Sequence, residues 1–483
     1  MRLTRPGRLL TLGAAIAFAA SACAGQGGAT TAPTTAPTTA PTTAPSAAAS
    51  TGQSTAPSAA AFDWKKYSGT EITFLADQHP WTDGMTPLLD QFTQETGIKV
   101  NVQPFSEDLY FDKMEQVLRA NPGSADAYFL PMDSTGFSQF NAKLIEPLTP
   151  YLNDPTKTAA DYDFKDFPTG FLGGGTYPPG DANAQLYGIP ISFETYILFS
   201  NKDLVDKYLG GVMPTTYPEL IAAAEKINKD GAKDGVSGAV MRGIRSDTIM
   251  DTLSGVVYNA WGGADIAAPY GVWFDGGWDK PRLTDPAVCQ GLTNYAKMLA
   301  AGPSNKFAID WSDANTLFSQ GKAAFFIDAS LFGPSYEDPK NSQVAGKVGY
   351  TALPPMAAGG GTFTGDWVWG LGIPKNSQHK DAAWYFVQWM TNKANTAKIG
   401  ASTGGAPRLS AYSDPAYTGA LVPDYVSAVN QAMKTTRSTV VFKDNWKDGA
   451  LAIVDGMLAI ANGADPTAAC AKANDALLKA VNK

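Results

Sequence analysis

Carboxylates, guanidinium groups and indole rings recur in this chain where apolar segments stop. The clearest case is Gly321–Ser330, in which the strand-forming run from Ala323 to Ile327 ends at Asp328. Asp77 and Gln78 follow the apolar run that closes at Ala76, Asp133 follows Pro131-Met132, and Glu194 and Tyr196 sit inside Phe193–Tyr196. Arg242, Trp367 and Trp369 complete the set. Carboxylates accept hydrogen bonds, guanidinium donates them in a plane, and indole faces pack against C–H groups, so this inventory suits a ligand carrying many hydroxyls. Each residue also has a plainer reading. Asp328 would cap a turn, Arg242 would pair with a structural acid, Glu194 would cap a turn near an interlobe crossing, and the period-two tryptophans would pack one strand face in a core or hinge.

Composition narrows the chemistry. The 483 residues suffice for more than one core, and 44% hydrophobic residues suit a globular body. The net charge of −8 argues against sequence-independent binding to nucleic acid or anionic membranes. With only His79 and His379, and with Cys23, Cys289 and Cys470 too far apart for a CxxC motif, neither a His-based triad nor a zinc or redox site has enough material. No GxSxG, HExxH or P-loop motif occurs, and no metal or cofactor is expected. Cys289 and Cys470 could pair in an oxidising exterior, but the sequence does not supply their separation.

The amino terminus reads as an export signal: Arg2, Arg5 and Arg8 precede an apolar segment, Leu9 to Ala20, too short to span a bilayer as a stable helix. Ala20-Ser21-Ala22-Cys23 resembles a bacterial lipobox, which would make Cys23 the lipidated first residue of the mature chain; a plain secretory cut after Ala22 is the alternative. A fourfold TTAP repeat, Thr30 to Pro45, then continues as Ser, Ala and Gly to about Ala61. With no aromatic residue or apolar periodicity it cannot build a core, and its prolines favour extended chain, so it reads as a tether. Its threonines could also carry O-linked sugar.

Elements that could position the candidate residues follow. Glu71 to Ala76 reads as a strand and Asp77–Trp81 as a turn. Met85, Leu88, Leu89 and Phe92 have helical spacing, Gly97 is a stop, and Ile98, Val100 and Val102 alternate as a second strand. Another helix over Lys113–Arg119 and a strand over Ala125–Leu130 extend this β-α-β pattern, which predicts a parallel sheet with ligands beyond its carboxyl ends. Gly170–Asn183 reads as a loop. Two strand-like runs flank Phe193–Tyr196, and Thr216 to Glu219 reads as a capping box opening a helix with Leu220, Ala224 and Ile227 on its apolar face. Ala450, Ile453, Val454, Met457 and Leu458 form an apolar stripe expected to pack on a second lobe.

Four segments in order carry a family resemblance. They are Tyr187-Gly-Ile-Pro with Asn201-Lys-Asp-Leu204; Pro214-Thr-Thr-Tyr-Pro-Glu-Leu220; Phe318-Ser-Gln-Gly-Lys-Ala-Ala324; and Trp369-Gly-Leu-Gly-Ile-Pro-Lys375 before Asp381-Ala-Ala-Trp384. The chain resembles the bacterial extracellular solute-binding proteins, family 1, of ABC importers, over nearly everything from Glu71 onward. Met241-Arg242-Gly243, Trp273-Phe274-Asp275 with Trp278 and Pro281, Phe326–Ala329 and Asp366–Trp369 resemble the members that bind polyols such as sorbitol and mannitol. The chain departs from that subgroup at Ile244-Arg245-Ser246-Asp247, which replaces a Lys-Pro-Gly run and is expected to face the cleft, adding Asp247 to the candidates. Arg408, after Gly404-Gly405-Ala406-Pro407, lies in a loop resembling one that reaches the cleft; a surface charge is equally consistent with it.

The resemblance implies an α/β, two-lobed periplasmic-binding-protein-like fold with a ligand cleft between discontinuous lobes. The expected division is a signal peptide over 1–22, a lipidated tether over 23–61, lobe 1 over 62–190, lobe 2 over 191–328, lobe 1 again over 329–367, and a helical part of lobe 2 over 368–483. Crossings are expected near Gly188–Glu194, Asp328 and Trp367. The implied function is capture of a sugar or polyol by a monomeric, non-enzymatic, lipid-anchored cell-surface receptor that serves an ABC permease. A secreted glycoside hydrolase would use the same residue types, and a non-transport surface receptor would share the binding site.

Overall fold

The computed structural model describes residues 61–263, 269–444 and 446–483. The expected signal peptide, Cys23 and all of the tether before Ala61 lie outside the described residues.

The first β-α-β unit forms as its sequence pattern predicts. Strand β1 (Glu71–Asp77) runs parallel to β2 (Lys99–Phe105) and β3 (Ala127–Pro131). Pro87 falls in a single 3-10 turn that divides the intervening helical stretch into Pro80–Met85 and Leu89–Thr96. Gly97 ends the second helix at φ 73°, a left-handed conformation that glycine adopts without a Cβ penalty. The expected turn at Asp77–Trp81 is shorter: β1 includes Asp77 and a helix starts at Pro80.

A small hairpin, β4 (Thr176–Tyr177) with β5 (Gln185–Leu186), leads into β6 (Ile189–Asn201). The two runs expected around Phe193–Tyr196 are this one strand of 13 residues, buried throughout. Burial on both faces removes the alternation that marks a half-exposed strand, so the sequence gives no sign of continuity. The remaining strands are β7 (Ser237–Val240), β8 (Ala323–Ala329), β9 (Val348–Thr351), β10 (Thr364–Gly372) and β11 (Thr436–Ser438).

These build a curled sheet in the order β2-β1-β3-β10-β6-β8-β7, with β9 beside β6 and β11 beside β10. The purely parallel expectation fails at the centre, where β10 is antiparallel to both β3 and β6. Two strands cross the molecule. The first half of β6 pairs with β10 from Asp366 to Leu371, and its second half pairs with β8 and β9. β10 joins β3 at one end through Trp369–Gly372 and meets β11 at the other.

One core includes β1–β3, the Lys380–Met390 helix and one face of the β6–β8 region. The second lies between the other face of β7 and β8 and five helices: Tyr217–Gly231, Met250–Trp261, Pro286–Ala300, Trp446–Ala461 and Pro466–Val481. Thr216 and Glu219 make the expected capping box, Ala450, Ile453, Val454 and Met457 pack in the second core with Leu458 against it, and Cys289 and Cys470 form a disulfide.

Packing redraws the expected segment boundaries. Residues 368–483 divide between the two cores: Trp384 Nε1 donates to Lys157 O and Trp389 Nε1 to Glu95 Oε2, placing Lys380–Met390 with β1–β3. Within 329–367, expected in the first lobe, β9 pairs with the same half of β6 as β8 does. An almost wholly buried helix such as Lys380–Met390 carries no stripe to say which sheet it covers.

Candidate functional site

Strand ends and one helix bring a guanidinium and two carboxylates together. Arg242 follows β7, Asp328 is the penultimate residue of β8, and these strands are parallel neighbours, so both side chains reach the same edge of the sheet. Arg242 Nε donates to Asp328 Oδ2 at 2.9 Å and Nη2 to Asp328 Oδ1 at 2.6 Å, a bidentate pair. Nη1 donates to Asp251 Oδ2 at 3.0 Å and to the Thr248 carbonyl at 3.1 Å. Asp328 Oδ1 also accepts from Ala329 N and Thr252 Oγ1. Glycine explains how Asp251 arrives: a Cβ on Gly255 would stand 2.8 Å from the Tyr196 ring, so only glycine lets this helix lie close enough to β6.

All three groups are buried, Asp328 completely. Burial works against the Arg242 charge but is outweighed by Asp328 and Asp251, so the guanidinium stays protonated. Burial pushes the Asp251 carboxyl well above the carboxylate range, with Arg242 opposing.

A second constellation forms where the paired strands β6 and β10 meet the segment that follows β1. Trp369 Nε1 donates to Glu194 Oε1 at 3.0 Å, and His79 Nε2 lies 3.4 Å from the same oxygen. Burial pushes Glu194 up to about 8, with Arg242 opposing and Asp328 adding to the rise. It pushes His79 down to about 4 against the charges of Asp77 and Asp83. Glu107, at the start of the Glu107–Arg119 helix, is also raised by burial, and it feels Asp77, Arg242, Asp251 and Glu194. A carboxyl kept neutral by burial gains an O–H donor, so this acid-rich region can both donate and accept.

Beside these groups opens a cleft of about 290 Å³. Asp133 and Trp367 line one wall, and Asp247, Thr248 and Trp446 the other. Asp133 Oδ2 accepts from Val368 N at 2.7 Å, and burial raises this carboxyl with Asp366 adding to the effect. Thr248 joins cleft to knot, because it lines the cleft and its carbonyl accepts from Arg242. Among the described residues no hydrogen-bond partner reaches Trp367 Nε1, Tyr196 Oη or Asp251 Oδ1. Such buried groups have full hydrogen-bonding capacity left to offer. Two contacts tie the walls at the rim: Asn141 Nδ2 donates to Asp444 Oδ1 at 2.9 Å, and Lys447 Nζ stands 4.0 Å from Asp112.

The expected residues therefore separate. Asp77, Glu194, Arg242, Asp328 and Trp369 gather in the buried region, Tyr196 lies beneath it on β6, and Asp133, Asp247 and Trp367 line the cleft. Gln78 is exposed, and its backbone N–H completes the β1–β2 ladder on Phe105 O. Arg408 is the clear departure. It is completely buried, donates to the carbonyls of Thr391, Asp163 and Tyr162, and lies 4.0 Å over the Phe167 ring. It is neither a cleft group nor a surface charge. In the altered stretch, Arg245 leaves the cleft to pair with Asp455 at exposed positions while Asp247 turns toward it. His79, Glu107 and Asp251 are not among the ligand-binding residues expected from the sequence. Glu107 and Asp251 sit in the first turns of helices, where an acid is common for its interaction with the helix dipole.

The sequence from residue 78 to 397 matches the model of the family described as bacterial extracellular solute-binding protein. The chain belongs to this family. Among curated solute-binding relatives, an erythritol/L-threitol-binding protein of Mycolicibacterium smegmatis is 28% identical over 82% of the chain and 83% of its own length. A mannitol-binding protein of Pseudomonas aeruginosa is 30% identical over 43% of the chain and 46% of its own length. A solute-binding protein of Agrobacterium radiobacter, solved with ribitol, superposes with a TM-score of 0.71 at 24% identity, covering 86% of this chain and 99% of that one. These likenesses establish the two-lobed solute-binding fold.

Proposed function

We propose that this solute-binding protein captures an alditol between its lobes and delivers it to an ABC permease, held at the cell surface by a lipid on Cys23. The observation that carries the ligand class is the buried Arg242–Asp328–Asp251 knot beside Glu194, Trp369 and the Trp367 wall. A linear polyol presents hydroxyls that donate and accept on every carbon, and this region supplies both kinds of partner in dry surroundings. The erythritol/L-threitol-binding relative, which matches most of the chain, supports the same class. Binding without chemistry suits the knot, because Asp328 and Asp251 are engaged by Arg242.

Asp133 and Trp367 on one wall and Asp247 and Trp446 on the other would each gain contacts only when the lobes close on a ligand, the differential affinity that closure needs. Tryptophan fluorescence titrated with erythritol, L-threitol, ribitol, mannitol, sorbitol and maltose tests the reading. A saturable change with at least one alditol supports it. No signal and no calorimetric heat with any of them removes the polyol class. For the anchor, Cys23→Ser should release the protein from the membrane fraction, and globomycin should block its processing; retention of the variant removes the lipid.

A further inference from the structure

Among the described residues, the side-chain hydrogen bonds to Glu194 fall on one of its two oxygens. Trp369 Nε1 and His79 Nε2 both address Oε1, from β10 and from the start of the Pro80–Met85 helix respectively. The His79 ring is itself oriented. Its Nδ1 accepts from Trp81 N at 3.1 Å, capping that helix, so the ring proton of neutral His79 sits on Nε2 and points at Glu194. The ring is locked between the Phe129 and Trp369 rings, with centroids 5.3 and 5.9 Å away, and is 7% exposed.

We propose that His79 is a positioning residue which, with Trp369, saturates Glu194 Oε1 and so presents Oε2 to the ligand as the group that reads one hydroxyl. The assignment rests on the proposed alditol-binding function. Glu194 is pushed up to about 8 and so holds a proton at neutral pH; with two N–H donors on Oε1, that proton resides on Oε2. Glu194 therefore donates to a hydroxyl oxygen, complementing the acceptor oxygens of the Arg242 knot. Selection between stereoisomers then depends on an orientation set from the first lobe, because a hydroxyl on the wrong side leaves the buried donor unmatched.

Two substitutions separate positioning from helix capping. Asn at position 79 can still cap the helix but is too short to reach Glu194; Gln can reach it with an amide N–H. Binding of erythritol, ribitol and mannitol is measured by calorimetry, and the Trp369 indole N–H resonance is followed in tryptophan-labelled protein. The expected result is that His79→Asn weakens the best alditol about tenfold, the worth of roughly one buried hydrogen bond, and shifts the Trp369 resonance, while His79→Gln recovers both. Wild-type affinity in His79→Asn, or equal weakening in both variants with an unmoved Trp369 resonance, overturns the assignment. If wild type binds none of the alditols, the functional reading has failed separately, and the Trp369 resonance alone decides: unmoved in His79→Asn, it overturns the positioning role, and moved and restored by Gln, it upholds the orientation of Glu194.

Discussion

Two buried arginines solve the same problem in opposite ways. Arg242 is surrounded by the side-chain carboxylates of Asp328 and Asp251, plus one carbonyl. Arg408 is held by three backbone carbonyls, the rings of Tyr162 and Phe167, and only a 3.4 Å contact with Asp166. Side-chain carboxylates have lone pairs that can turn toward a ligand hydroxyl, whereas backbone carbonyls are fixed by the chain. Burial alone therefore does not separate the two arginines; the kind of acceptor each one has does. Arg408 locks Asp163, Thr391 and its own loop into one block of the first core, and Arg242 organises the buried carboxyls to which the proposed function assigns the ligand.

The largest effect should come from breaking the knot. Asp328→Ala removes the bidentate partner of the buried Arg242 guanidinium and leaves Asp251 as its remaining side-chain partner; breaking that pair should cost about 3–5 kcal/mol in stability, and alditol binding should disappear; chemical denaturation and calorimetry read the two effects. Arg408→Met should destabilise through its unfilled carbonyls by about 2–4 kcal/mol, with the affinity of the folded fraction within about threefold of wild type. A loss of affinity comparable to that of Asp328→Ala would erase the distinction between the arginines. Trp367→Phe keeps a ring on the cleft wall but removes the unpartnered N–H, and should weaken binding about fivefold to tenfold by calorimetry. The smallest effect belongs to Arg245→Ala, which removes an exposed pair with Asp455 and should change stability by no more than about 1 kcal/mol with no change in affinity.

Acid groups on the cleft side give the contrast a pH signature. Glu194 is raised from 4.5 to about 8 in the folded state, so its contribution is full below 4.5 and is lost as pH rises toward 8. His79 is lowered from 6.5 to about 4, so its contribution is full above 6.5 and is lost as pH falls toward 4. Between about pH 6.5 and about pH 8 the Glu194 effect acts alone of these two, and Tm should rise as pH falls across that window. Glu194→Gln should flatten the rise, and a Tm that climbs toward pH 8 in wild type would contradict it.

Legibility in the sequence followed the kind of partner each residue has. Asp77, Asp133 and Asp328 were readable because an apolar run ending in an acid marks a strand reaching an edge. Thr216 and Glu219 were readable because a capping box is local. Asp251 was not, since its role depends on the close approach of its helix at Gly255. His79 reads in the sequence as part of a turn and as one of two histidines available to a triad or a metal site, and nothing in sequence spacing brings it to a glutamate 115 positions away. The Arg408 cage is equally hidden, because carbonyls leave no mark in the residue types.

Calorimetric titration of an alditol panel into wild type, Asp328→Ala and Arg408→Met, each confirmed folded at the temperature used, tests the central claim most directly. Wild type and Arg408→Met should bind the same alditol with similar affinity while Asp328→Ala binds none. Equal binding by Asp328→Ala and wild type would contradict it.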